Sequence, residues 1–173
     1  MAENDKSTAL NISVLVVSDT RTEKTDKSGR LLEDKVRSAG HNLAEKKIVE
    51  DNIYKIRAVV ATWIAEDDVD VVISTGGTGV TGRDGTPEAV ACLLEKTIEG
   101  FGEIFRAISF DEIGTSSLQS RALSGVANGT YIFVLPGSAN ACATAWDKII
   151  AAQLDSRTKP CNLVELIPRL KEH

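Results

Sequence analysis

Residues 69–87, VDVVISTGGTGVTGRDGTP, carry the clearest fold signal in this 173-residue chain. The stretch opens with a nearly continuous apolar run, as expected for a strand that helices cover on both faces. A glycine-dense loop follows, and Pro87 suits the first turn of a helix. A buried strand that passes through such a loop into a helix is typical of α/β folds with a parallel sheet.

Three further segments have the composition of strands, and segments with helical spacing separate them. They span residues 12–18, 42–49 and 131–135. This alternation predicts an α/β fold with a mostly parallel central sheet. The chain contains no repeat or linker-like run, so we expect a single domain over residues 1–173, with a polar segment at 1–10 and a tail at 156–173.

The segments between the strands carry the start signals of helices. The expected helices begin at Ser28, Asn52, Pro87 and Ser138. Residues 100–127 show no strand pattern and predict two helices broken around Gly114.

The charge balance restricts the classes of partner. Twenty Lys and Arg stand against 25 Asp and Glu, a net charge of -5 that does not favour nucleic acid. A small anion remains compatible, since glycine loops and helix N-termini bind phosphates without any global positive charge. No apolar run resembles a signal peptide or approaches membrane-spanning length, so we expect a cytoplasmic protein that does not contact a membrane.

The three cysteines, Cys92, Cys142 and Cys161, are odd in number and far apart, which favours structural thiols in a reducing compartment. Only His41 and His173 could join them as metal ligands, and neither is near a cysteine, so a zinc site is not expected.

The loop after the third predicted strand favours anion binding over a simple chain reversal. It holds five glycines in the ten residues from Gly76. Glycine lets the main chain approach an anion closely, and the following helix N-terminus adds a favourable field. Residues 77–82 also satisfy G-x-G-x-x-G, but they follow the wrong strand for a dinucleotide site, which leaves a nicotinamide or flavin oxidoreductase as a distant alternative. Arg83-Asp84 stands where a P-loop needs Lys-Ser/Thr.

Three aspartates follow the first three predicted strands: Asp19, Asp51 and Asp84. Parallel strands would place them at one sheet edge, where they could converge on a magnesium ion that carries a nucleotide triphosphate. Asp is also common in turns, so each residue alone is weak support. We favour function for Asp51 and Asp84 together, and weigh both interpretations of Asp19 equally.

Other polar residues could add contacts to an anion, although each is more often a cap or a surface residue. Pro136-Gly137-Ser138 places a glycine and a hydroxyl cap at a strand-to-helix junction. The segment Ser28-Gly29 and Arg121 could contribute hydroxyl or guanidinium groups.

Thr75-Gly76-Gly77-Thr78-Gly79, followed by Asp84 and Pro87-Glu88-Ala89, resembles the signature of the MoaB/MogA family of molybdenum cofactor biosynthesis proteins. The resemblance extends from residues 16–19 and 26–29 through 100–103 to 135–138. Residues 110–116 and 159–162 resemble the MoaB branch more closely than MogA.

The resemblance implies a three-layer α/β/α fold, a homo-trimer or homo-hexamer, and a molybdopterin site at the carboxyl edge of the sheet. MogA-type members adenylylate molybdopterin with ATP and magnesium. The MoaB branch implies the alternative of a non-catalytic molybdopterin-binding protein or a scaffold with other pathway enzymes as partners.

The family's site can be carried over by position. Asp51 and Asp84 fall on the two functional aspartates, which act on magnesium and triphosphate. The remaining matches imply molybdopterin-binding residues, namely Thr75, Gly76, Gly77, Thr78, Gly79, Pro136, Gly137, Ser138, Ser18, Asp19, Ser28 and Gly29. Glu50 stands where MogA members have proline, so the Asp51 carboxylate remains but its rigid neighbour does not.

Overall fold

A six-stranded sheet in the order β2-β1-β3-β6-β5-β4 forms the centre of the computed structural model, which describes residues 7–172. The strands are β1 (Asn11–Val17), β2 (Asn42–Val49), β3 (Val71–Thr75), β4 (Lys96–Thr97), β5 (Leu123–Ala127) and β6 (Thr130–Leu135). Neighbours among β2, β1, β3 and β6 are parallel, whereas β5 pairs antiparallel with β6 and with β4. The predicted mostly parallel sheet is therefore confirmed. Part of the segment predicted at 1–10, residues 1–6, lies outside the described residues, as does His173.

Helices cover both faces of this sheet. They are α1 (Ser28–Ser38), α2 (Ile53–Ala65), α3 (Thr86–Ala91), α4 (Glu99–Ile113), α5 (Ala139–Ala145) and α6 (Ala151–Gln153), and a π-helical turn, Trp146–Ile150, joins the last two. Alternate residues of β1 point to opposite faces. Ile12 and Val14 pack with residues of α1, α4 and α5, whereas Leu15 packs with residues of α2 and α3. This arrangement is the expected three-layer α/β/α fold.

The predicted helix starts are confirmed, and two of them have side-chain caps. Asn52 accepts hydrogen bonds from the amides of Tyr54 and Lys55, at 3.0 and 3.2 Å, at the start of α2. Ser138 accepts one from the Ala141 amide, at 3.1 Å, at the start of α5.

The prediction for residues 100–127 is wrong in its second half. Only α4 is a full helix; a 3₁₀ turn, Gly114–Gln119, and then strand β5 follow it. A tight turn at Asn128 and Gly129, with φ of 47° and 79°, joins β5 to β6. Asn-Gly with positive φ at both residues is a strong hairpin signal. Strand β5 was not predicted because its sequence, LSGVA, is short and has no clear alternation of polar and apolar residues.

The predicted tail at 156–173 packs on the domain in its described part. Val164 is buried with the core on the α1 side of the sheet, and the Tyr131 hydroxyl donates to the Leu163 carbonyl over 2.9 Å. All three cysteines are free; Cys142 is buried, whereas Cys92 and Cys161 are exposed. Within residues 7–172, no helix combines the length and apolar character needed to cross a bilayer.

Candidate functional site

The four parallel strands end at one edge of the sheet, and all the predicted site segments lie there. Ser18 and Asp19 follow β1, Asp51 follows β2, residues 75–79 and Asp84 follow β3, and residues 136–138 follow β6. Ser28 at the start of α1 joins them, since its hydroxyl donates to the Gly137 carbonyl over 2.7 Å. The topology thus brings together segments that are far apart in the sequence.

At two positions at the start of the β3–α3 loop, the backbone conformation requires glycine. Gly76 and Gly77 have φ of 102° and 65°, in the left-handed region that disfavours residues with a Cβ. A Cβ at Gly76 would overlap the Val17 carbonyl oxygen. At Gly77 it would overlap the Thr86 hydroxyl and stand 2.9 Å from Oδ2 of Asp51. The loop therefore passes too close to β1 and to Asp51 for a side chain.

Buried threonines hold this loop in place. The Thr75 hydroxyl donates to the Pro136 carbonyl over 2.9 Å, and the Thr86 hydroxyl donates to the Gly76 carbonyl over 2.8 Å. The Thr86 amide donates to the Gly77 carbonyl over 3.0 Å. The Thr75 hydroxyl proton is donated within the protein, so Thr75 contributes to the predicted anion-binding loop by fixing its backbone.

The predicted serines also have roles within the protein. The Ser18 hydroxyl accepts hydrogen bonds from the amides of Thr20 and Arg21, at 3.3 and 3.2 Å, and thereby bends the chain after β1. Ser138 caps α5. A hydroxyl that accepts hydrogen bonds can still donate one, so Ser18 and Ser138 keep the capacity to contact an anion. Gly29 lies beside the buried Asp26, whose Oδ1 accepts the Gly29 amide over 2.8 Å.

Asp19 and Asp51 meet where β1 and β2 end. The Asp51 amide donates to Oδ1 of Asp19 over 3.1 Å, and Arg83 forms an ion pair with Oδ2 of Asp19 at 2.9 Å. The Gly85 amide lies 3.5 Å from Oδ1 of Asp51. Burial raises the pKa of Asp51, and the Asp84 and Asp19 carboxylates raise it further, against the Gly85 hydrogen bond and Arg83. The surroundings of Asp51 therefore disfavour its ionised form.

Asp84 is stabilised in its ionised form. The Thr81 hydroxyl and amide donate to its Oδ2 over 2.5 and 2.9 Å. The Thr81 hydroxyl is the main cause of the lowered pKa of Asp84, and the amides of Thr81 and Gly79 and the charge of Arg121 act in the same direction, against partial burial. Sequence reasoning missed Thr81, although Thr-x-x-Asp is a spacing at which side chains commonly bond to nearby backbone.

The aspartates do not form a metal centre from protein ligands alone. Within residues 7–172, no group of three or more His, Cys, Asp or Glu side chains is arranged to hold a metal ion. Asp19 already contacts Arg83 and the Asp51 amide. Magnesium in nucleotide sites commonly takes one or two carboxylates, with phosphates and water as its other ligands. Magnesium binding by Asp51 and Asp84 with ligand phosphates remains a prediction.

Arg121 has a role that its sequence position did not indicate. Its guanidinium donates to the carbonyls of Thr78, Gly79 and Asp84 and pairs with Glu88. It is thus a structural partner of the loop.

Comparison with known proteins identifies the domain. Residues 13–156 match the family described as "probable molybdopterin binding domain". The chain belongs to this family. All the predicted site residues, from Ser18 to Ser138, lie inside the matched part of this molybdopterin-binding domain.

The relatives of this family member confirm the resemblance to MoaB and MogA. Molybdenum cofactor biosynthesis protein B of Escherichia coli K12 is 58% identical over 151 residues, which cover 87% of this chain and 89% of that protein. A crystal structure of a molybdenum cofactor biosynthesis protein B has 44% identity and a TM-score of 0.84, covering 86% of this chain and 93% of the other. The tungsten cofactor synthesizing protein MoaB from Pyrococcus furiosus has 34% identity and a TM-score of 0.74, with 84% and 93% covered.

Proposed function

We propose that this protein acts in molybdenum cofactor biosynthesis, binds molybdopterin at the carboxyl edge of its sheet, and adenylylates it with ATP and Mg²⁺. The observation that carries the proposal is the contact between Asp51 and the glycine loop, with Oδ2 of Asp51 2.9 Å from the Cβ position of Gly77. A ligand phosphate on this loop would lie beside a carboxylate that needs a cation. Membership of a molybdopterin-binding family supports the identity of the ligand.

The chain's own groups suit adenylyl transfer. The pterin's terminal phosphate oxygen would attack the α-phosphorus of ATP, and the bond to pyrophosphate would break. That phosphate is already anionic, so no general base is needed, and catalysis depends on placement and charge neutralisation. Asp51 and Asp84 would hold Mg²⁺, which neutralises phosphate charge when bound. The glycine loop lets the backbone approach the phosphates, and Ser18 and Ser138 can donate hydrogen bonds to them.

A second candidate is a protein that binds molybdopterin, or scaffolds the pathway, without catalysis. The residue before Asp51 supports it. Glu50 is exposed and pairs with Lys55 at 2.7 Å, so it cannot restrict the backbone beside the carboxylate as a proline would.

One assay separates the two functions. Purified protein is mixed with molybdopterin, ATP and Mg²⁺, and adenylylated pterin and pyrophosphate are measured, with EDTA and Asp51→Asn as controls. Product that requires both Mg²⁺ and Asp51 supports the adenylyltransferase. Saturable molybdopterin binding without product supports the non-catalytic alternative.

A further inference from the structure

Arg121 connects both ends of the β3–α3 loop through one planar group. It lies just before β5, and its Nε donates to the carbonyls of Thr78 and Gly79 over 3.2 and 2.8 Å. Its Nη2 donates to the Asp84 carbonyl over 2.9 Å, and its Nη1 pairs with Glu88. A guanidinium presents its N–H donors in a fixed fork, which a flexible lysine cannot reproduce. The relative positions of these carbonyls are therefore set by one side chain.

These contacts also determine where two amide groups point. In a trans peptide, the carbonyl and the following N–H lie on opposite sides of the peptide plane. The Thr78 carbonyl faces Arg121, so the Gly79 N–H points away from it. Gly79 lies against the Asp84 carboxylate, whose Oδ2 is 2.7 Å from the position that a Cβ on residue 79 would take, and the Gly79 amide helps to lower the pKa of Asp84. The Asp84 carbonyl also faces Arg121, and the Gly85 N–H then points to Oδ1 of Asp51, 3.5 Å away.

We propose that Arg121 is a positioning residue that orients the Gly79 and Gly85 amides onto the carboxylates of Asp84 and Asp51. It thereby holds the loop in the shape that receives the ligand. The effect of Arg121 on the shape of the loop can be measured without a ligand. Its effect on molybdopterin affinity rests on the proposed function.

The test uses the full chain with Arg121→Lys, which keeps the charge but removes the fork, and with Arg121→Gln, which removes both. NMR measures hydrogen exchange of the Gly79 and Gly85 amides without ligand. We expect both variants to exchange about tenfold faster there, since hydrogen bonds to charged groups contribute enough to account for such a change. Amides of β1 and β6 should keep their rates.

Two matched variants serve as controls. Arg57 also donates to a backbone carbonyl, that of Ala89 in α3 at 3.4 Å, outside the loop, so Arg57→Lys should leave both amides unchanged. Glu88→Gln removes the ion pair but leaves the carbonyl contacts, and should change the exchange by less than about twofold because exposed ion pairs contribute little.

Three results would overturn the proposal. Unchanged exchange at Gly79 and Gly85 in Arg121→Lys would overturn it, as would an equal increase throughout the sheet or an equal effect of Glu88→Gln. Molybdopterin affinity, measured in parallel, should fall about tenfold in Arg121→Lys. If the parent fails to bind molybdopterin while the exchange changes as expected, the proposed function fails and the positioning role stands.

Discussion

Asp51 and Gly77 lie against each other, with Oδ2 of Asp51 2.9 Å from the position that a Cβ on residue 77 would take. The end of β2 and the loop after β3 are therefore in contact, although the two residues are 26 positions apart in the chain. A carboxylate placed directly at the loop leaves no room for a side chain there. Ligand binding, metal binding and loop geometry at this site are consequently coupled.

Gly77→Val should weaken molybdopterin binding by at least about tenfold and lower the free energy of unfolding by about 1–3 kcal/mol, because it forces a β-branched residue to a φ of 65°. The fold should survive better than binding. Gly82→Ala is the matched control, since a Cβ there meets no atom within 4 Å, and its stability should change by less than about 0.5 kcal/mol. Thermal unfolding and titration calorimetry measure both. If Gly77→Val bound molybdopterin as tightly as the parent, the assignment of the glycine loop to molybdopterin binding would be wrong.

Asp84→Asn should reduce ATP-dependent turnover by at least about a hundredfold, because the variant lacks the charge that holds a divalent cation. The amide oxygen can still accept the Thr81 hydrogen bonds, so the turn should persist. Molybdopterin affinity should stay the same or rise. Weaker molybdopterin binding in the absence of Mg²⁺ and ATP would instead place Asp84 in the pterin pocket or give it a role in the turn alone.

Asp51 should take up a proton before Asp84 as the pH falls. The pKa of Asp51 is raised above its ordinary value of 3.8 and that of Asp84 is lowered below it. Mg²⁺ affinity should therefore begin to fall above pH 3.8, while Asp84 is still ionised. Asp84 stabilises the fold when ionised, and this stabilisation is lost only as the pH falls through its lowered pKa. The effect of Asp51 on stability is opposite. Folding disfavours its ionised form, so its protonation as the pH falls through its raised pKa stabilises the fold.

Carboxyl-carbon NMR titration measures the order directly. Asp51→Asn should remove the higher of the two transitions. A higher pKa for Asp84 than for Asp51 would contradict the conclusion that burial raises the pKa of Asp51 and that hydrogen bonds lower the pKa of Asp84.

The protein should form a trimer or hexamer through α4 and the 3₁₀ turn that follows it. Phe101 and Phe105 of α4 are buried within one copy of the chain. Four large apolar side chains of α4 and the 3₁₀ turn are exposed, namely Ile104, Phe110, Ile113 and Leu118, the last 84% exposed. Exposed apolar side chains on two adjacent elements favour an interface.

Analytical ultracentrifugation tests the assembly against the 18.6 kDa chain mass. Phe110→Asp should lower the measured mass, whereas Leu166→Asp, at an exposed apolar residue of the C-terminal 3₁₀ turn, should not. A parent protein that sediments only as an 18.6 kDa species at micromolar concentration would contradict the prediction.

Sequence patterns predicted the parallel part of the sheet and the edge at which the site lies. Buried parallel strands such as β3 and β6 have a near-continuous apolar pattern, and residues that follow parallel strands must meet at one edge. The alternation of strand and helix segments included β2, so Asp51, the glycine loop and residues 136–138 could be placed together from the sequence. The antiparallel strand β5 lacked that pattern, and its signal lay in the Asn128-Gly129 turn.

The partner of each polar group could not be predicted and follows from the packing of distant segments. Asp19 pairs with Arg83, 64 residues later, and Arg121 reaches carbonyls 37 to 43 residues earlier in the chain. Local propensity and periodicity describe neighbours along the chain, whereas these contacts depend on how distant segments pack and on which way each peptide group faces. The different pKa shifts of Asp51 and Asp84 have the same origin, because burial and hydrogen bonding arise only when the loop closes over the strand ends.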